Sequence, residues 1–216
     1  IQDGTISEMA ELYQKLLKQI VPASELDWFA CKAAMINMIN RDFTTAQLWL
    51  EIAQKEDVPN GQSPITWPKL WPVFWLLDED RSIELDEQQL EGWAQNLLAE
   101  NPLRGKNYIN LTYHILKIFG AKIPHARWTE LAGKEARIEH GYSLFANKQA
   151  IEQALEAKRT AEAAATLLLS AGSLKASEFL DESLLFIIST LNDLGLEQQA
   201  KGLAFQVLIK KNHQIW

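Results

Sequence analysis

Three points along this chain share one spacing: a turn residue, a small residue five positions on, and apolar residues at helical intervals beyond it. Near the C-terminus Gly195 leads to Ala200, Ala204, Val207 and Leu208. Lys158 leads to Ala163 and Leu167, and Arg41 leads to Ala46, Leu50 and Ala53. Ala163 and Ala200 stand roughly 37 residues apart, inside the period range of stacked helical hairpins. The run Glu87-Gln88-Gln89 with Gly92, Ala94 and Leu98 also matches Glu197-Gln198-Gln199 with Gly202, Ala204 and Leu208. A helix-turn-helix unit of this size cannot bury its apolar face alone, so neighbouring units must cover it. The pattern predicts an all-α fold, a right-handed superhelical stack of antiparallel hairpins with about ten or eleven helices.

The local signals agree with that class. Met9, Leu12, Leu16, Leu17 and Ile20 form one stripe, which predicts a helix over 8–20 stopped by Pro22. Ser24 is placed to cap a second helix running through Trp28, Met35 and Ile39 to Asn40, and Thr44 or Thr45 to cap a third. Pro59-Asn60-Gly61 marks a loop over 57–66. Asp86 caps a helix to Glu100, and Asn101-Pro102 forces the chain out of it. A helix over 107–119 ends at Gly120, and Pro124 opens a short one to Leu131. Further helices are expected at 148–157, 160–171, 176–194 and 196–211, closed by Gly172 and Gly195. No segment alternates with period two, so no sheet is expected. Residues 133–146 are the least regular stretch. They divide the chain into N-terminal hairpins with a Trp/Pro-rich segment (1–132), a connector (133–146), and C-terminal hairpins with a cap (147–216).

Composition narrows the function classes. At 47% hydrophobic and 23% charged, the chain has the apolar content of an ordinary folded protein. Its net charge of −7 argues against non-specific nucleic-acid binding and against docking on anionic lipid, both of which need clustered Lys and Arg. The longest apolar runs, 70–77 and 184–188, are too short to span a bilayer, so no membrane insertion is expected and the chain reads as soluble. The single cysteine, Cys31, rules out an intrachain disulfide and reads as a small buried hydrophobe. With Ile1 in place of an initiating Met, the sequence is expected to be a mature form or a fragment. The compartment, cytoplasm or periplasm, is not encoded here.

The run Gly195, Ala200, Ala204 and Val207 resembles the tetratricopeptide family of helical repeats, in which a small residue follows the inter-helix turn where one helix packs on its mate. Arg41, Ala46, Leu50 and Ala53 follow the same pattern with Arg in place of the turn glycine. The family's aromatic and proline signature is largely missing, and the match covers the C-terminal residues best. The same run is similar to the end of larger, poorly characterised bacterial helical-repeat proteins. That resemblance implies an α-solenoid acting as a protein-binding scaffold, with no catalytic residue to carry over.

Chemistry is sparse. His114, His125, His140 and His213 stand apart, with no HExxH and no ligand pair at helical spacing. His114, beside Tyr113 in an apolar helix, reads as a packed side chain. No phosphate-binding glycine loop or nucleophile elbow is present. Asp78-Glu79-Asp80, the one carboxylate cluster beside aromatic residues, reads as a solvated helix end. No catalytic residue, metal site or cofactor is expected.

The remaining feature is Trp67-Pro68-Lys69-Leu70-Trp71-Pro72-Val73-Phe74-Trp75. Interior proline disfavours one continuous helix, so a helix starting near Trp71 with Pro72 at its first position is expected. Trp67, Trp71 and Trp75, extended by Trp93, are the candidate binding residues, because indole joins a large apolar face to one N–H donor. The competing reading places these rings in the core. Function then reads first as a non-catalytic scaffold for a protein or peptide partner. A glycan- or peptidoglycan-associated module of a larger enzyme is the second reading. Self-association through Leu203, Phe205, Val207, Leu208 and Ile209 of the last helix is the third. Lys201, Gln206, Lys210 and Lys211 favour a polar C-terminal cap over such a seam.

Overall fold

The computed structural model describes residues 13–40, 42–55, 72–73, 75–76, 85–131, 145–172 and 178–212, and its contacts form two compact units, Ile1–Glu84 and Leu85–Trp216. The described residues are mostly helical, with no β-strand among them.

In the first unit residues 13–17 are helical and turn away before Pro22. A 3-10 turn at Ser24–Leu26 leads into α1 (Asp27–Ile39), which packs on α2 (Phe43–Lys55). Small residues make that packing close: Ala30, Ala33 and Ala34 of α1 and Ala46 of α2 are fully buried, with Trp49. Phe29 meets Trp49 edge-on at 5.9 Å between ring centroids, a favoured aromatic geometry. The buried Asn37 is satisfied within its own helix, donating to the Ala33 carbonyl at 2.8 Å. Two expected caps differ. Ser24 opens the 3-10 turn instead of capping α1. Asp42, not a threonine, caps α2, its Oδ1 accepting the Thr45 N–H at 3.2 Å, since a carboxylate at that position reaches the third helical amide. In the Trp/Pro segment Pro72, Val73, Trp75 and Leu76 are helical. Val73, Trp75 and Leu76 are buried there.

The second unit starts with α3 (Glu87–Glu100) and α4 (Pro102–Ile118). Asp86 caps α3 as expected, accepting from the Gln88 and Gln89 amides. Helix α4 starts five residues before its expected first residue, Asn107. Asn101 Oδ1 accepts the Arg104 N–H at 3.2 Å and Pro102 takes the first helical position. There its missing N–H is no loss, so Asn-Pro makes a corner and not a gap. A short α5 (His125–Leu131) follows, then α6 (Phe145–Glu156), α7 (Thr160–Ala171), α8 (Asp181–Asp193) and α9 (Glu197–Asn212). The connector expected at 133–146 lies outside the described residues as far as 144, and its last two residues open α6. Helices α3–α5 belong to the same unit as α6–α9.

The pairs α3–α4, α6–α7 and α8–α9 each pack together, and α6–α7 and α8–α9 are antiparallel. Asn147 at the start of α6 donates to Ser170 near the end of α7 at 2.8 Å, and Asp181 at the start of α8 pairs with Lys211 near the end of α9. Helix α4 is the hub. It supplies Tyr108, Ile109, Leu111, Tyr113, Ile115 and Leu116 to the core and packs on α3, α8 and α9. In a strictly sequential stack each hairpin meets only its neighbours. Here α4 reaches α8 and α9 directly, past the α6–α7 hairpin.

The three recurring turns close alike. Asp42, Arg159 and Leu196 donate their amides to the carbonyls five residues back, Asn37, Ala154 and Leu191, at 2.8, 2.8 and 2.9 Å. Ala46, Ala163 and Ala200 then donate to the carbonyls of Asp42, Arg159 and Leu196. The first bond satisfies a carbonyl that the ending helix leaves open and calls for a left-handed residue just before the donor. Gly195 has φ 77° and Lys158 has φ 58°. The small residue of each turn is buried to 0% exposure. Lys158 bears the penalty of a side chain in this conformation, so Lys158→Gly is expected to raise stability by about 1 kcal/mol. The urea midpoint reads this directly, and a lower midpoint would show that the lysine stem contributes more than its backbone strains.

Helix α9 carries a buried apolar arc. Ala200, Ala204, Phe205, Val207, Leu208 and Ile209 on it are buried, and Leu203 is half-buried. Lys201 is also interior, at 6% exposure, its ammonium 2.8 Å from Glu197 Oε1. A lysine stem tolerates such burial when its head reaches a carboxylate at the edge. Gln206 alone of the four cap residues is exposed.

Candidate functional site

Of the four candidate tryptophans, Trp67 and Trp71 lie outside the described residues. Trp75 and Trp93 are core, 7% and 2% exposed, so neither offers a ring face to a ligand. Trp93 projects from α3 onto α4, its ring centroid 6.1 Å from Tyr108 and 6.0 Å from Tyr113. Burial pushes the Tyr108 hydroxyl well above the usual tyrosine range, which keeps it protonated. Trp128 of α5 continues this row with an edge contact to Tyr113 at 5.8 Å. Ring contacts link Trp28, Phe29 and Trp49 within the first unit, and Trp93, Tyr113 and Trp128 within the second.

The exposed apolar surface lies elsewhere. On α7, Leu168 and Leu169 are 72% and 84% exposed, and Ala165 and Ala161 are exposed one and two turns earlier. Positions 161, 165, 168 and 169 share one side of a helix. The opposite side carries Ala163 and Leu167, which are buried together with Ile151 and Ala154 of α6. Two faces of α7 are thus apolar, and among the described residues only one is covered. The sequence signal was present in Leu167-Leu168-Leu169, because three consecutive leucines cannot all face one side of a helix. In the first unit Trp28 is 70% exposed, its ring backed by Phe29 at 5.6 Å.

Among the described residues no three His, Cys, Asp or Glu side chains are grouped to hold a metal ion. Asp78-Glu79-Asp80, His140 and His213 lie outside the described residues, as does the side chain of Cys31. His114 is packed against an aromatic ring as expected, meeting Trp128 at 4.7 Å between ring centroids, although it is exposed on its other side. Arg127 joins α5 to α3 through Glu91 at 2.8 Å, with Glu87 at 3.8 Å. These polar groups tie helices together. Among the described residues no helix is long and apolar enough to cross a membrane.

No protein-family model, curated protein or solved structure matches this chain.

Proposed function

We propose that this chain is a non-catalytic scaffold of helical hairpins that binds a protein or peptide partner, in the manner of tetratricopeptide-like solenoids. The observation that carries the reading is the uncovered apolar face of α7. Two neighbouring leucines at 72% and 84% exposure, flanked by exposed alanines, form a flat apolar strip on a helix already anchored by its other side. An exposed strip of this kind marks an interaction surface when it is contiguous, and small flanking residues let a partner approach closely. The recurring turns and their buried alanines support the hairpin scaffold. The buried side chains of α9 count against self-association through the last helix.

The test is a double substitution, Leu168→Asp with Leu169→Asp. Both side chains are exposed, so thermal stability is expected to stay within about 0.5 kcal/mol of the parent. Capture of the partner from source-cell extract is expected to fall at least tenfold, a loss of about 1.4 kcal/mol. Undiminished capture by the folded double variant would refute a role for α7. The second reading, a glycan-associated module, is favoured by one observation, the exposed indole of Trp28. A parallel Trp28→Ala variant separates the two, since a glycan platform loses binding there and keeps it in the leucine variant.

A further inference from the structure

Helix α5 is only seven residues long, and its main packing partner among the described helices is α4. Two consecutive side chains attach it. Arg127 is engaged by Glu91 and Glu87 of α3. Trp128 lies on α4, where Tyr113 and His114 both meet its ring edge-on, at 5.8 and 4.7 Å between centroids. The Lys117 ammonium is 5.9 Å from the centroid of the same indole. His114 and Lys117, three residues apart on one face of α4, therefore share a single aromatic partner.

We propose that His114, Lys117 and Trp128 form an acid-sensitive latch, closed on α5 while the imidazole is neutral and released when it is protonated. A neutral imidazole packs on the indole as one aromatic ring on another. Lys117 already occupies the cation position over that ring. A second positive charge at His114 sits beside the first, and among the described residues no carboxylate is bonded to either. Water on the exposed side of His114 offers the imidazolium better solvation. Swinging out uncovers the Trp128 edge. Partial burial and, after it, the Lys117 charge hold the His114 pKa below its usual 6.5, in agreement with the packing. The latch is thus fully closed above about pH 6.5 and opens as pH falls through the depressed value.

From α5 the other charged or titratable residues are Arg127, committed to the α3 glutamates, the exposed His125, and Glu130. Carboxylates titrate near pH 4, below the window of interest. His125, the other histidine of the pair on these two helices, needs its own variant. The experiment follows the Trp128 indole N–H and the α5 amides by NMR from pH 7.5 to 5.5, with the indole signal assigned from Trp128→Phe. The indole signal is expected to move with the His114 midpoint, below 6.5, as the α5 amides lose protection beyond the intrinsic pH effect. Both changes are expected to vanish in His114→Gln and persist in His125→Gln. An indole signal that stays still, that keeps its titration in His114→Gln, or that moves while α5 protection holds, overturns the proposal.

Discussion

Trp93→Ala is expected to lower the stability of the second unit by about 4 kcal/mol, the range for removing a fully buried large aromatic side chain. The indole is 2% exposed and lies against two tyrosines of α4, with Leu90 and Leu97 buried on the same helix. The void would fall where α3 joins the hub helix, between backbones already in close approach, so little collapse can fill it. A domain of this size has about 5–15 kcal/mol to lose, so the variant keeps its fold at low temperature and melts far earlier. Chemical denaturation followed by circular dichroism measures the difference. Trp28→Ala, at a ring 70% exposed, is expected to stay within about 0.5 kcal/mol. Equal losses at the two sites would mean that burial does not separate the two classes of tryptophan.

Gly105→Ala should destabilise the same junction by about 3 kcal/mol, although alanine is the better helix former. A Cβ at Gly105 would stand 2.6 Å from the Leu97 carbonyl oxygen and 2.9 Å from its carbon. Those are backbone atoms of α3, which move only if the whole helix backs away and loosens Trp93 from Tyr108. Gly92, in α3 itself, has open space around its missing Cβ. Gly92→Ala is therefore expected to gain up to about 1 kcal/mol from propensity alone. The same substitution on two adjacent helices thus changes sign. Urea midpoints of the two variants against the parent decide it, and a stabilised Gly105→Ala would show that α3 and α4 are not in close contact.

The turns were legible because their chemistry is local. Gly195 with φ 77° and the fully buried Ala46, Ala163 and Ala200 follow from spacing alone, since a turn of this kind sets both the left-handed residue and the crowded position after it. Most helix ends were legible to within about three residues for the same reason, whereas α4 starts earlier than expected and α8 later, at Pro102 and Asp181. Asn101-Pro102 misled because an Asn-Pro pair ends one helix and opens the next with equal ease, so its meaning depends on the residues beyond it. The tryptophans were not legible, as indole suits a core and a binding face alike, and only tertiary packing distinguishes Trp93 from Trp28. Lys201 shows the same limit for charge, because its depth is set by what lies around α9 and not by its neighbours in sequence. The central place of α4 was invisible for a further reason. Its contacts with α8 and α9 join residues far apart in the chain, and periodicity reports only on one element at a time.

The claim that α7 presents a partner-binding face is tested most directly by photo-crosslinking from single positions in source cells. A photoreactive residue at Leu169 samples the uncovered face, and one at Gln206, exposed on α9, is the control. The account predicts a discrete crosslinked protein from position 169 that is absent from position 206 and lost with Leu168→Asp. Crosslinks at neither position, the same products from both, or a product of twice the chain's own mass would contradict it.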